Sequence, residues 1–307
     1  MAKRGRATKQ EMRVIEFLRT GGRRIPTGFA SKAAEATKSM LQERLDAGIV
    51  QRKQGAKLFR QMKGASTVAV NDPANKKALD GLLRWHKKLA AKKLAFPKVS
   101  VEVGGLIPGS ISGTVVPPFD FADTIPSLGA NVSNPTLSVS ASVNGQISAS
   151  AASSQATGFN TGGEYARVGI FFHPMTDGTL TISASPTYSF QWSTNSLNTT
   201  LVRSSGDVGL TIYGMNEFAH IFASAGAMYE IWDEETTGQT NFDFGLAVQK
   251  SLSVSLNVTP ALVYLCFVEV DADVVGMGWP GSLATAMASA TVPSISFRFT
   301  PQPLVMA

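Results

Sequence analysis

The sequence predicts a two-part chain: a small basic all-α module over residues 1–98, followed by an antiparallel β-sandwich, jelly-roll-like, over residues 99–307. Three observations predict it. Charge divides at one point: residues 1–98 hold 24 of the 28 Lys+Arg and 7 of the 22 Asp+Glu, a balance of +17, and the remaining 4 basic and 15 acidic residues give residues 99–307 a balance of −11. Apolar residues at helical spacing occur in the first part. Period-two alternation of apolar residues with Ser and Thr, punctuated by turn signals, fills the second.

The elements follow in order. Residues 9–20 place Met12, Ile15 and Leu18 near one helical face, and Gly21-Gly22 stops that helix. Pro26-Thr27-Gly28 reads as a turn, and a second helix is expected from about Ser31 to Ala47, with Ala34, Leu41 and Leu45 on its stripe and Gly48 in the C-cap position. Residues 57–63 suit a further helical turn. The clearest helix covers residues 72–95. Asp72 suits its N-cap and Pro73 its first position; Leu79, Leu82, Leu83, His86, Leu89 and Ala90 form the apolar stripe, and Pro97 ends it.

After residue 98 the texture changes. Residues 99–135 read as loops with short strands. Leu137, Val139, Ala141 and Val143 alternate with serines, then Asn144-Gly145 predicts a two-residue type I′ hairpin before Ile147 and Ala149. Asp177-Gly178 repeats the signal ahead of Leu180 and Ile182. Further alternation at Tyr188/Phe190/Trp192, Leu210/Ile212, Leu252 to Val258, Tyr264 to Val270 and Val292 to Phe299 brings the expectation to eight to ten strands. The one cysteine, Cys266, lies in an apolar run, so no disulfide forms within the chain and the thiol is expected to be buried and inert. No apolar h-region follows the basic start, and no stretch reaches the length of a membrane helix. Synthesis in a cytosol is expected, with the cytoplasm or a particle as final location.

Residues 9–53 resemble a winged-helix or helix-turn-helix module: a first helix ending in Gly21-Gly22, then Ile25 to Thr37, then the run Ser39 to Lys53, which looks like a recognition helix followed by a strand and a basic wing. The resemblance implies that Lys38, Gln42 and Arg44 face a groove and that Arg52, Lys53 and Lys57 meet phosphates. The whole layout, a basic N-terminal region followed by a Ser/Thr-rich sandwich, is similar to that of icosahedral virus coat proteins. This implies that the first part binds genome and the second builds a shell.

Charge alone points to nucleic acid or another polyanion as partner, with Lys76, Lys77, Arg84, Lys87, Lys88, Lys92 and Lys93 of the third helix as contacts. Glu269, Asp271 and Asp273 alternate along one strand face. They read either as a cation site, which Asp243 lies close enough to join, as a strand end running into water with Val268, Val270 and Val274 facing the core, or as a dock for the basic helices of a neighbouring subunit. Asp233-Glu234-Glu235 reads as an acidic loop tip. Trp192, Trp232 and Trp279, with Tyr165, Tyr188 and Tyr213, read either as the lining of a carbohydrate or peptide groove or, the default for aromatics at alternating strand positions, as core; Trp279, in a turn-rich loop, is the candidate for exposure to a ligand. His86, His173 and His220 fall in no catalytic pattern, and no motif calls for a cofactor. The expected function is therefore non-enzymatic: a nucleic-acid-binding, self-associating, coat-like structural protein. The alternatives are a DNA-binding regulator with a ligand-sensing sandwich, and a toxin or effector whose residues 72–95 engage an anionic membrane.

Overall fold

The computed structural model describes residues 16, 17, 19, 20, 25, 27–39, 110–125, 136–153, 159–196, 201–237, 239–277 and 283–302. Within them are helical residues 16, 17, 19 and 20, which fall in the helix expected over residues 9–20, a helix α1 (residues 29–39), and fourteen strands. The strands are β1 (Ile111–Val115), β2 (Phe121–Ile125), β3 (Thr136–Ser142), β4 (Gln146–Ala152), β5 (Phe159–Phe172), β6 (Gly178–Ala184) and β7 (Thr187–Asn195), then β8 (Leu201–Met215), β9 (Ile221–Thr237), β10 (Thr240–Gln249), β11 (Leu252–Val258), β12 (Val263–Met277), β13 (Leu283–Thr291) and β14 (Ile295–Pro301).

All described pairings are antiparallel, in three sheets ordered β1-β14-β6-β11, β10-β7-β13-β4-β3 and β2-β5-β12-β8-β9. The last sheet forms one layer and the other two together form the facing layer: β4 and β13 lie against β12, and β11 lies against β8 and β9. One core joins the inner faces. Val168, Ile170, Leu210, Ile212, Tyr264, Cys266 and Val268 come from the first layer, with Leu180, Ile182, Tyr188, Trp192, Phe297 and Phe299 from the second. This is the antiparallel sandwich that the alternation predicts, with apolar side chains of the two layers meeting between them. Burial pushes the Cys266 thiol up, as the inert reading expects.

The Ser/Thr content has a structural use. Hydroxyls on neighbouring strands pair within each of the two sheets of the second layer: Ser140 with Ser148 at 2.8 Å, Thr181 with Ser255 at 2.7 Å, Ser193 with Thr285 at 2.7 Å and Thr114 with Ser296 at 2.9 Å. Such cross-strand pairs stabilise a sheet face without charge.

Four sequence expectations change. Fourteen strands replace eight to ten. β13, for example, alternates Ala with Thr and Ser, and small residues give a weak apolar signal although Ala284, Ala286 and Ala288 are buried. The β3–β4 hairpin exists, but its loop has three residues, Val143 to Gly145, because Ser142 pairs with Gln146. The Gly145 N–H donates to the Ser142 carbonyl at 2.9 Å, and only Gly145 (φ 88) takes the left-handed conformation. The turn is therefore the kind with one left-handed residue that closes three-residue hairpins, not the I′ turn that needs two. Asp177-Gly178 forms no hairpin, since it carries the chain from β5 in one layer to β6 in the other. Asp233-Glu234-Glu235 is no loop tip and lies within β9, paired with β8.

In the basic region, α1 starts after Gly28 (φ 75), about two residues earlier than expected, and buries Phe29, Ala33 and Thr37 at four-residue spacing instead of Ala34. Phe29 and Ala33 pack on Phe121, Phe171, Tyr213, Met215, Leu265 and Phe267, on the outer face of the β2-β5-β12-β8-β9 sheet. The Arg19 guanidinium donates to both Asp120 carboxylate oxygens and to the Phe171 carbonyl at 2.9 Å, and the Phe171 N–H donates to Asp120 at 2.7 Å. Residues 40–47 of the second expected helix, the turn at 57–63, and the helix at 72–95 lie outside the described residues.

Candidate functional site

The central strand of the first layer, β12, sorts its residues strictly by parity. Tyr264, Cys266, Val268, Val270, Ala272 and Val274 face the core. The opposite face begins with Val263, Leu265 and Phe267, which α1 covers, and continues with Glu269, Asp271 and Asp273. The carboxylates therefore occupy the middle of a central strand and do not mark a strand end in water. Val268, Val270 and Val274 are in the core, as that reading required.

Register brings in charged residues that no local pattern connects. Asp207 of β8 lies opposite Asp271, Arg167 of β5 lies opposite Glu269, and Asp123 of β2 lies opposite Arg167. On the other side Glu230, Asp233 and Glu235 of β9 lie opposite Asp207, Ser205 and Arg203. Eight of the fifteen carboxylates after residue 98 thus share one sheet face (Asp123, Asp207, Glu230, Asp233, Glu235, Glu269, Asp271, Asp273) with two of the four cations there, a formal balance of −6 with every carboxyl ionised. The neighbouring glycines make room for them: a Cβ on Gly163 would strike the Asp273 carboxylate, and one on Gly209 would crowd Glu269 and Met228.

The face carries its own internal bonds. Arg167, 2% exposed, donates to Asp123 Oδ2 from Nη2 at 2.6 Å and from Nε at 3.1 Å, and its guanidinium stacks 5.0 Å from the Phe267 ring centre. Arg203 binds Asp233 in bidentate fashion at 2.6 and 2.9 Å. Thr211 donates to Glu269 at 2.8 Å, and the Asp207 N–H donates to Asp271 at 2.6 Å. Asp271 and Asp207 are only 7% and 8% exposed. Burial, then the neighbouring Asp207, Asp273 and Glu269, push the Asp271 carboxyl well above the ordinary Asp range, and burial pushes Glu269 up against the opposing pull of Thr211 and Arg167. The same cluster, after burial, raises the Tyr165 phenol.

The sign of the Asp271 shift gives a test. The folded protein holds this proton to higher pH than the unfolded chain, so wild-type stability falls as pH rises from the free Asp value of 3.8 through the raised folded value. Asp271→Asn removes the ionisation and keeps an oxygen for the Asp207 N–H. Thermal melts are expected to show a higher Tm for the variant at pH 7 and a gap that closes toward pH 4. A variant Tm at or below wild type at pH 7 would refute the assignment.

As for the other predicted site residues, no three His, Cys, Asp or Glu among the described residues form a group suited to hold a metal ion, and Asp243 belongs to β10 in the other layer. Lys38 is exposed near the end of α1. Gln42, Arg44, Arg52, Lys53, Lys57, Lys76, Lys77, Arg84, Lys87, Lys88, Lys92, Lys93 and Trp279 lie outside the described residues. Trp192, Trp232, Tyr188 and Tyr213 are core residues, with Trp232 donating to Ser204 at 2.9 Å, whereas Tyr165 lies half-buried on the carboxylate face, opposite Asp271, because its parity in β5 matches that of Arg167. The His173 ring lies 3.1 Å from the Pro260 carbonyl, and exposed His220 contacts the Phe218 ring. No helix of the described residues is long and apolar enough to cross a membrane. Asp123, Arg167, Asp207 and Glu230 were absent from the sequence reading. Arg167 had a signal: it is the first cation after Lys98 and sits in the otherwise apolar run Tyr165 to Ile170, where a charge demands a partner.

A second surface feature is apolar. Strand β10 is an edge strand that exposes Phe242 (73%), Phe244, Leu246 (75%) and Val248. One extra residue between Gly245 and Val248 bulges this edge, with Ala247 at φ 55.

No protein-family model matches the chain, and no curated protein matches it. Solved structures show weak similarity. TmCBM61 in complex with β-1,4-galactotriose is 10% identical, covering 54% of this chain and 88% of that one, at a TM-score of 0.19. The Arthrobacter globiformis T6 isomalto-dextranase complexed with panose is 10% identical, covering 62% of this chain and 35% of that one, at 0.19. The infectious bursal disease virus Gt strain structure is 9% identical, covering 68% and 46%, at 0.15. At these scores the likenesses carry no argument about function, which rests on the chain's own residues.

Proposed function

We propose that the chain is a non-enzymatic assembly protein of coat-like type. Its basic helical module over residues 1–98 engages nucleic acid through phosphates, and its jelly-roll-like sandwich associates with further copies. The observation that carries the reading is the partition of cations: 24 of 28 precede residue 99. Counterion release makes such a concentration of Lys and Arg a sequence-independent ligand for a phosphate backbone. The exposed apolar row on β10 supports self-association, because an edge strand with large apolar side chains is a template for another chain.

The test is size-exclusion chromatography of full-length protein with light scattering and the 260/280 nm absorbance ratio, at low and high salt. The expected result is a large assembly carrying nucleic acid that salt strips away. A clean monomer or dimer without nucleic acid would overturn the reading; a dimer protecting two spaced half-sites would instead favour the regulator.

A further inference from the structure

We propose that the acidic outer face of the β2-β5-β12-β8-β9 sheet is a docking surface for residues 72–95 of the same chain, and that nucleic acid competes with this face for that segment. The second clause rests on the proposed function; the first does not.

Charge complementarity picks the occupant. The face carries a formal balance of −6, whereas residues 72–95 hold Lys76, Lys77, Arg84, Lys87, Lys88, Lys92 and Lys93 against Asp72 and Asp80, a balance of +5. On the opposite layer hydroxyl pairs line the sheet faces, which offer no comparable field. Connectivity favours the chain's own segment over a neighbour's. Helix α1 already roofs the apolar half of this very face through Phe29 and Ala33, and its described residues end at 39. The 33 residues from there to residue 72 reach up to about 110 Å if extended, several times the width of a five-stranded sheet. A covalent tether that spans the distance makes docking an intramolecular event, which favours the chain's own segment over another copy in dilute solution. Within the face, Asp233 and Glu230 are exposed and Glu235, Glu269 and Asp273 half-buried, so they are the groups that a lysine side chain reaches. Asp207 and Asp271 lie beneath them, out of contact, and the Asp271 carboxyl, whose pKa burial raises, adds to the field only once it ionises.

The docked state makes this face a mimic of a phosphate backbone. Like nucleic acid it lines up negative charges, and it loses its hold as salt rises. The segment is then released to a long polyanion, which offers more charges than eight carboxylates.

The test uses full-length protein freed of nucleic acid, treated with a zero-length carbodiimide that joins amines to touching carboxylates, with peptides mapped by mass spectrometry. Labelled and unlabelled copies are mixed so that links within a chain are told from links between chains. Low salt is expected to give links from Lys87, Lys88, Lys92 or Lys93 to Glu230, Asp233, Glu235, Glu269 or Asp273 within one chain, lost at high salt. Links to other carboxylates, links only between copies, or none would overturn the docking. The competition is read separately, as the affinity of a short oligonucleotide for a Glu230→Gln/Glu235→Gln/Asp273→Asn variant. About a tenfold gain is expected, within the usual range for coupled sites. An unchanged affinity would overturn the competition. If no oligonucleotide binds either protein, the proposed function fails, and the docking still stands or falls on the cross-links.

Discussion

Reversing Lys87, Lys88, Lys92 and Lys93 to Glu is expected to weaken nucleic-acid binding by roughly a thousandfold or more at 0.1 M salt. Each phosphate contact contributes about 0.9 to the slope of log affinity against log salt, so four lost contacts remove about 3.6 log units at that concentration and flatten the slope by the same figure. The new carboxylates add repulsion. The core described for the sandwich is complete in residues outside this segment, so circular dichroism is expected to show the β-structure still folded. Filter binding across a salt series checks both numbers. Wild-type affinity in the reversed variant would remove residues 72–95 from the interface.

Asp123→Ala is expected to destabilise the sandwich by about 3–5 kcal/mol, the usual cost of leaving a buried charge without its partner. Arg167 is 2% exposed, and both of its bonds to Asp123 go to one carboxylate oxygen. Glu269 attracts the same guanidinium but is held by Thr211. The paired change Asp123→Ala/Arg167→Leu is expected to recover most of the loss, since replacing both partners by apolar groups is often close to neutral. Urea denaturation of the two variants distinguishes a charge effect from lost packing. A single-variant cost below about 1 kcal/mol would place the pair among weak surface bridges.

Much of the architecture was legible because sandwich strands announce themselves by parity. Leu180/Ile182, Leu210/Ile212 and Tyr264 to Val270 each read as strands and each is one, with those residues inside. Strands built on alanine, such as β13, did not announce themselves, since the large residues filling their side of the core sit on the facing sheet. The Asn144-Gly145 hairpin was legible as a reversal but not in its loop length, which depends on which pair closes the ladder. The candidate site was half legible. Glu269, Asp271 and Asp273 could be placed on one face by counting in twos. Asp207, some sixty residues upstream, and Arg167, a hundred upstream, join them only through strand order, which alternation does not encode. Their burial was likewise out of reach, because a strand with carboxylates on one side reads as an edge unless its two neighbours are known.

The clasp of Arg19 on Asp120 and Phe171, with Phe29 seated nearby, changes what kind of object the cationic stretch is. Residues 40–109 run from the end of α1 to Ser110, just ahead of β1, so both of their ends belong to the same folded body. The residues that flank this stretch on both sides are thus fixed to one sandwich, through Arg19 and Phe29 before it and β1 after it. A single proteolytic cut between residues 40 and 109 is therefore expected to leave both products attached to the same body, which native mass spectrometry of the nicked protein would read as one undivided mass.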